Sequence, residues 1–242
     1  MTYSGNVTLI DQGNSKLPAD NNTSPVLGVA FLLQACTSLI SGLILKAALN
    51  VPGNISQSMT NIANHSWLMR ANILGEMITA VGIIFLGAVL FVVLRERNEK
   101  TALVGLGFYI LEAALLAASR IPAFPLLRIS QEYVTAGHRP DLLAMASLAL
   151  ESMDSGYTLL MFPFCLGAIL FYYLLYKTRI VPRALSLWGL AAVSLVLIGT
   201  LFAICGHEVP FVVFLPYVPF EFVIGVWILV KGINERAVER NG

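Results

Sequence analysis

Charge is scarce in this chain. Of its 242 residues only 12% are Asp, Glu, Lys or Arg, against about 25% in an ordinary soluble domain. A soluble protein of this size needs a polar surface over its core. With 57% hydrophobic residues and a mean hydropathy of +0.77, the sequence suits lipid as a solvent instead. Basic blocks are missing and the net charge is +1, which leaves no electrostatic footprint for nucleic acid. Cysteine is limited to Cys36, Cys165 and Cys205. An odd count without C-x-x-C spacing gives no disulfide framework, and the three read as small buried hydrophobes. No Walker A sequence, no G-x-G-x-x-G opening a helix after a strand and no G-x-S-x-G occurs, so those nucleotide-binding and hydrolase motifs are excluded. No lysine sits where a mid-membrane Schiff base would need it, since Lys46 and Lys231 lie near segment ends. No cofactor is expected.

What is present is long apolar runs. The hydrocarbon core of a bilayer is about 30 Å thick and takes about 20 apolar residues as a helix. Six stretches qualify: Val26 to Leu49, Leu68 to Leu94, Ala102 to Leu126, Tyr157 to Tyr176, Ala184 to Cys205 and Phe211 to Val230. Pro122 and Pro125 are expected to break the third. Strands are far shorter, and in lipid each backbone polar group must be satisfied within its own segment, which selects helices. The expected fold is an all-α polytopic transmembrane bundle of six helices. Its parts are a polar tail over 1–24, a membrane domain over 25–235 and a second tail over 236–242. The first 24 residues are polar and the apolar run after them is too long for a cleavable signal.

Basic residues suggest an orientation. Arg95, Arg97, Lys100, Lys177, Arg179, Arg183, Lys231, Arg236 and Arg240 fall on one side. By the positive-inside rule that side is the cytoplasm of a cell membrane, with both termini inside. Glycosylation sequons at Asn54 and Asn64 agree with an outer first loop; those at Asn6 and Asn22 do not. Trp67, Trp188 and Trp227 lie near the expected interfaces, as anchoring aromatics do. Arg128 to Ser155 is the longest non-spanning segment. Its leucines fit either a short helix at the outer surface or an outward extension of the fourth helix.

Several motifs carry a resemblance. The last helix reads Pro219-Phe-Glu221, Gly225-Val-Trp227 and Lys231-Gly232. The fourth-to-fifth junction reads Tyr173-Leu-Leu-Tyr176 through Pro182-Arg183, followed by Trp188-Gly189, and the third stretch carries Glu112. Over roughly residues 25 to 235 the chain resembles the prokaryotic membrane-protein family known as domain of unknown function number 4386. The resemblance implies a six-helix membrane protein and brings no activity with it.

An ionisable residue inside a spanning helix costs about 2.5–3.5 kcal/mol on insertion scales and so calls for a reason. Glu112 and Glu221 lie near the middle of the third and sixth stretches, and Glu76 in the outer half of the second. Helical spacing puts Gly105, Tyr109, Glu112 and Ser119 on one face, and Tyr217, Glu221 and Gly225 on another. Each of these two glutamates thus has a tyrosine one turn before it, able to hydrogen-bond a carboxyl group in either protonation state. Pro216 and Pro219 free backbone carbonyls beside Glu221. Arg120 either snorkels to headgroups or pairs with Glu76. The set reads as a mid-membrane site for a small cation, protons or a small cationic substrate, or else as polar packing between helices. Three helices plus three is also the count for an inverted repeat, although the loops of the two halves differ.

The outer segments hold a second group. His65, His138 and His207 fall there with Glu208, Glu151 and Asp154. His207, Glu208 and His138 are weak candidates for a metal site without any H-E-x-x-H spacing. Three classes of function follow: a small transporter or ion-coupled permease, a non-catalytic structural or regulatory subunit, and a membrane enzyme acting on lipid at its outer face. The bilayer is the one partner that composition implies; oligomeric state is not legible.

Overall fold

The computed structural model describes residues 23–233. The tails, with the sequons at Asn6 and Asn22 and with Arg236 and Arg240, fall outside the described residues. Among those described, all regular structure is helical. Helix α1 (Thr23–Ser38) runs through a π-helical stretch, Leu39–Leu45, into α2 (Lys46–Leu49). Then follow α3 (Ile55–Asn64), α4 (Ser66–Ser119), α5 (Ala123–Thr135), α6 (Pro140–Thr178), α7 (Arg183–Ile204), a 3-10 turn at Phe211–Val213 and α8 (Tyr217–Lys231). Five helical stretches are long and apolar enough to cross a membrane. One of them holds both α4 and α5.

Helix α4 is a hairpin. Asn98 has non-helical backbone angles, φ −158° and ψ 89°, and its side chain accepts a hydrogen bond from Thr101 N at 3.1 Å, capping the second leg. Gly87 lies against Tyr109, and Glu76 faces Arg120 at 4.0 Å. Both pairs are centred on Asn98, so the two legs run antiparallel. The chain therefore passes through the bundle six times, as expected for an all-α transmembrane bundle.

The other neighbours follow in the same way. Gly75 lies on Ser41 and Gly28 on Leu229, while Gly167 and Gly156 meet the second leg at Tyr109 and Ser119. A methyl on Gly28 would stand 2.9 Å from the Leu229 backbone nitrogen, so the absence of a side chain is what brings α1 onto α8. Ser24 Oγ accepts from Ile233 N at 2.9 Å, tying the two ends of the domain together. The bundle core runs from Leu27 and Phe31 through Leu90 and Phe171 to Phe220 and Ile228. Cys165 lies in it, but Cys36 and Cys205 are exposed. Those two therefore correct the expectation of three buried cysteines, because they stand on outward faces.

At the end opposite Asn98 lies a second core. Helix α6 has 39 residues, about 58 Å of helix, nearly twice the hydrocarbon thickness. Its first half rises beyond the bundle and packs with α3 and α5 around Met59, Ile62, Leu126 and Ala146. Ser56 Oγ and Tyr133 Oη, 2.8 Å apart, join α3 to α5. We call this unit the cap. Of the two expectations for Arg128 to Ser155, the extension of the fourth helix is the one that forms, from Pro140, with Arg128 to Thr135 belonging to α5. The third helix ends at Ser119, before Pro122. Pro125 does not break anything, because it stands in the first turn of α5, where no N–H is required.

The sixth helix departs most from expectation. Its 15 residues make about 22 Å, short of a full span. Pro216 and Pro219 stop it from starting earlier, and the residues before it lie along α7, with Val213 against Gly199. The Pro216 carbonyl, at the N-cap of the helix, accepts a hydrogen bond from Trp188 Nε1 at 3.1 Å. Glu221 consequently sits in the second turn of α8 rather than at mid-helix.

Candidate functional site

The inward stripe of the second α4 leg is Gly105, Tyr109, Glu112, Leu116 and Ser119, all buried. These are the positions that helical spacing places on one face, with Leu116 added. On the first leg the stripe includes Asn72, Glu76 and Thr79. Helix α8 contributes Tyr217 and Glu221. Between them the bundle keeps a cavity of about 670 Å³ that reaches Glu76, Glu112, Glu221, Arg120 and Tyr217. Five of the six residues singled out in the sequence thus meet in one space. Tyr109 is the exception. It lies outside the lining, with its ring edge-on to Phe171 at 5.1 Å.

The two tyrosines therefore differ. Tyr217 Oη donates to Glu221 Oε1 at 3.0 Å and shares a 2.7 Å hydrogen bond with Tyr172 Oη. With the single Tyr217 proton directed to Glu221, Tyr172 is the donor of that second bond. Tyr172 had no signal in the sequence, since it lies in an apolar run on another helix. Its ring and that of Trp188 pack on Phe220, forming a rigid backing for the carboxyl.

Arg120 does not snorkel. It is 4% exposed, with Nη1 4.0 Å from Glu76 Oε1 and Nε donating to Ser119 Oγ at 3.1 Å. The π-helical stretch makes room opposite this pair. Such a stretch widens the helix and leaves a carbonyl to be satisfied elsewhere. Asn72 Nδ2 donates to Ser41 O at 2.7 Å. Gly42, in the same wide turn, leaves a gap facing Glu76. Toward the cap the rim carries Lys46, paired with Asp154 at 2.6 Å.

Two buried atoms at the cavity lack partners among the described residues: Glu112 Oε2 and Gln34 Oε1. Gln34 is a lining residue that sequence reading passed over. A lone glutamine within an apolar span was the available signal. Glu76 has Arg120 and Lys46 has Asp154, so Glu112 and Glu221 are the carboxyls without a basic neighbour among the described pairs. The deep end of the cavity is acidic and the walls are mostly hydrocarbon, among them Leu116, Phe164 and Phe214.

The histidines are not gathered. His138, in the link before α6, meets the Tyr133 ring edge-on, and His207 lies near Phe202 after α7. Among the described residues no three His, Cys, Asp or Glu side chains form a group able to hold a metal. His207, Glu208 and His138 therefore do not converge.

Residues 26–232 match the family described as domain of unknown function (DUF4386). The chain belongs to that family. No curated protein and no solved structure matches it. The DUF4386 match covers α1 to α8, including the cap and every residue that lines the cavity.

Proposed function

We propose that this DUF4386 chain is a small carrier that takes a cationic solute into its intramembrane cavity, with Glu112 and Glu221 as the groups that hold the charge. The observation that carries the reading is the cavity itself: it ends on two carboxyls that have no basic partner, one of them with an unpaired buried oxygen. Helix contacts made for packing alone fill their space and satisfy their polar atoms. The Tyr172–Tyr217–Glu221 chain fixes one carboxyl in place, and Glu112 is left free to bind. The seven described basic residues that mark the Asn98 end favour a cell-membrane orientation with that end in the cytoplasm, so the rim at Lys46 faces outward.

The test is uptake of tetraethylammonium into phosphatidylcholine vesicles containing the full chain. Saturable uptake that falls at least about tenfold in Glu112→Gln, equivalent to about 1.4 kcal/mol of binding, supports the reading. Uptake no greater than in empty vesicles, or equal in wild type and Glu112→Gln, rejects it.

A further inference from the structure

The cavity has a side window. On one wall, Leu39 and Leu43 of the π-helical stretch line it. Leu43 is 49% exposed, like its outward-facing neighbours Ile40 and Ile44 at 52% and 55%. On the facing wall stand Phe211 and Val218, which also line the cavity and are also exposed. The same side chains thus form the cavity wall and the outer surface. Helices α1 and α8 meet toward the Asn98 end, where Gly28 lies on Leu229 and Gly225 on Leu32. Past Gly225 the start of α8 gives way to the broken stretch that follows α7, and the π turn widens α1 on the other side.

The depth of this window decides what it admits. Helix α7 has 22 residues, about 33 Å, just enough to span. Gly199 lies five residues before its end, and Val213 is packed against it. At Val213 the broken stretch therefore lies about 7.5 Å inside the end of α7, below His207 and Glu208, so the window at that depth faces lipid tails rather than water. A hydrophilic ion has no population there. An amphiphile does, with its head near the interface and its tail among the acyl chains. Apolar walls beside an acidic end match such a molecule better than they match a bare ion, which needs several oxygen ligands.

Resting on the cation reading above, we infer that the cavity takes single-chain amphiphilic cations sideways from the bilayer. The head group lies at Glu112 and Glu221, and the tail extends through the window between the π-helical stretch and the start of α8.

The experiment is binding of alkyltrimethylammonium ions, from tetramethylammonium to the hexadecyl compound, to the full chain in maltoside micelles. Affinities are expressed against the amphiphile dissolved in the micelle, so that plain partitioning cancels. A tail leaving through a window adds no cost with length. Affinity is then flat from octyl to hexadecyl, within about threefold, less than the effect of one buried methylene. A closed chamber rejects the long chains, and loss of hexadecyl binding with tetramethylammonium binding retained overturns the sideways route while leaving the cation reading intact. Binding of no member of the series overturns both. A second arm adds bulk: Val218→Trp at the window slows hexadecyl association about tenfold and spares tetramethylammonium, and Ala47→Trp near the rim does the reverse. Equal slowing of both ions by Ala47→Trp alone counts against the window.

Discussion

In the cap, buried polar atoms are satisfied close to home. Ser58 Oγ meets Asn50, Val51 and Asn54, and Ser130 donates to the Leu126 carbonyl one turn back. In the bundle, Gln34, Glu76, Glu112 and Glu221 turn toward a shared space, and Gln34 and Glu112 each keep an unpaired oxygen there, as Ser186 does away from it. The surroundings explain the contrast. Beyond the hydrocarbon layer, apolar burial drives packing, and a small core of Met59, Ile62, Leu126 and Ala146 is drawn together by water. Inside the layer the outer faces are solvated by lipid, so packing and hydrogen bonds must hold the helices together. The aromatic contacts around Phe220 and the glycine approaches of α1 to α8 supply that packing. The cap pairs its buried hydroxyls locally; the bundle leaves two cavity oxygens unpaired among the described residues.

The largest effect that would break this contrast is expected from Ile62→Asp. Ile62 is 1% exposed in the cap core, and an unpaired buried charge costs about 3–5 kcal/mol. Hydrogen exchange should accelerate in α3 and α5 and stay unchanged in α7 and α8. Equal acceleration throughout would mean that cap and bundle unfold as one unit. A smaller effect is expected where the two regions join. Arg120→Met leaves the Glu76 carboxyl without its partner, at a cost of about 3 kcal/mol, and adding Glu76→Gln should restore at least half of it in a denaturation cycle. Additive losses would show that the 4.0 Å pair contributes no coupling.

The smallest effect is expected at the tip of the cap. The Arg139 guanidinium hydrogen-bonds Asp141 and holds its carboxyl below the usual range, and the pair sits at the start of α6, where a negative charge suits the helix end. A depressed native value means that the contribution is complete above the ordinary carboxylate value, about 3.9. It is lost as the pH falls through the native one. Both side chains are exposed, so Asp141→Asn should lower the melting temperature only slightly at neutral pH, and not at all in about 0.5 M salt, where surface charges are screened. A salt-resistant loss would place the pair in a drier setting than the cap provides.

Much of the bundle was legible in the sequence because lipid imposes a length and a composition on each span. The cost of charge in hydrocarbon singled out Glu76, Glu112, Glu221 and Arg120 for the same reason. What escaped depends on which helices become neighbours. Tyr172 gains its meaning from Tyr217 on another helix, and the π-helical stretch has its Ser41 carbonyl met by Asn72 across the interface. Helix α3 did leave a trace: Asn54 caps it through Gln57 N, and Ile55, Met59 and Ile62 recur at helical spacing. Its polar remainder hid it among loop residues. Glu221 falls near the start of its helix rather than at its middle because the apolar run begins at Phe211 while the helix begins only at Tyr217.

The hairpin about Asn98 works as a length standard. Every pairing between its legs relies on equal counts of residues on either side of the turn. One residue inserted in either leg would turn everything beyond it by about 100° and shift it by about 1.5 Å, carrying Glu76 away from Arg120 and Gly87 away from Tyr109. A residue inserted in a link such as 136–139 leaves that register untouched, so the hairpin tolerates a change of length outside its legs and not within one of them.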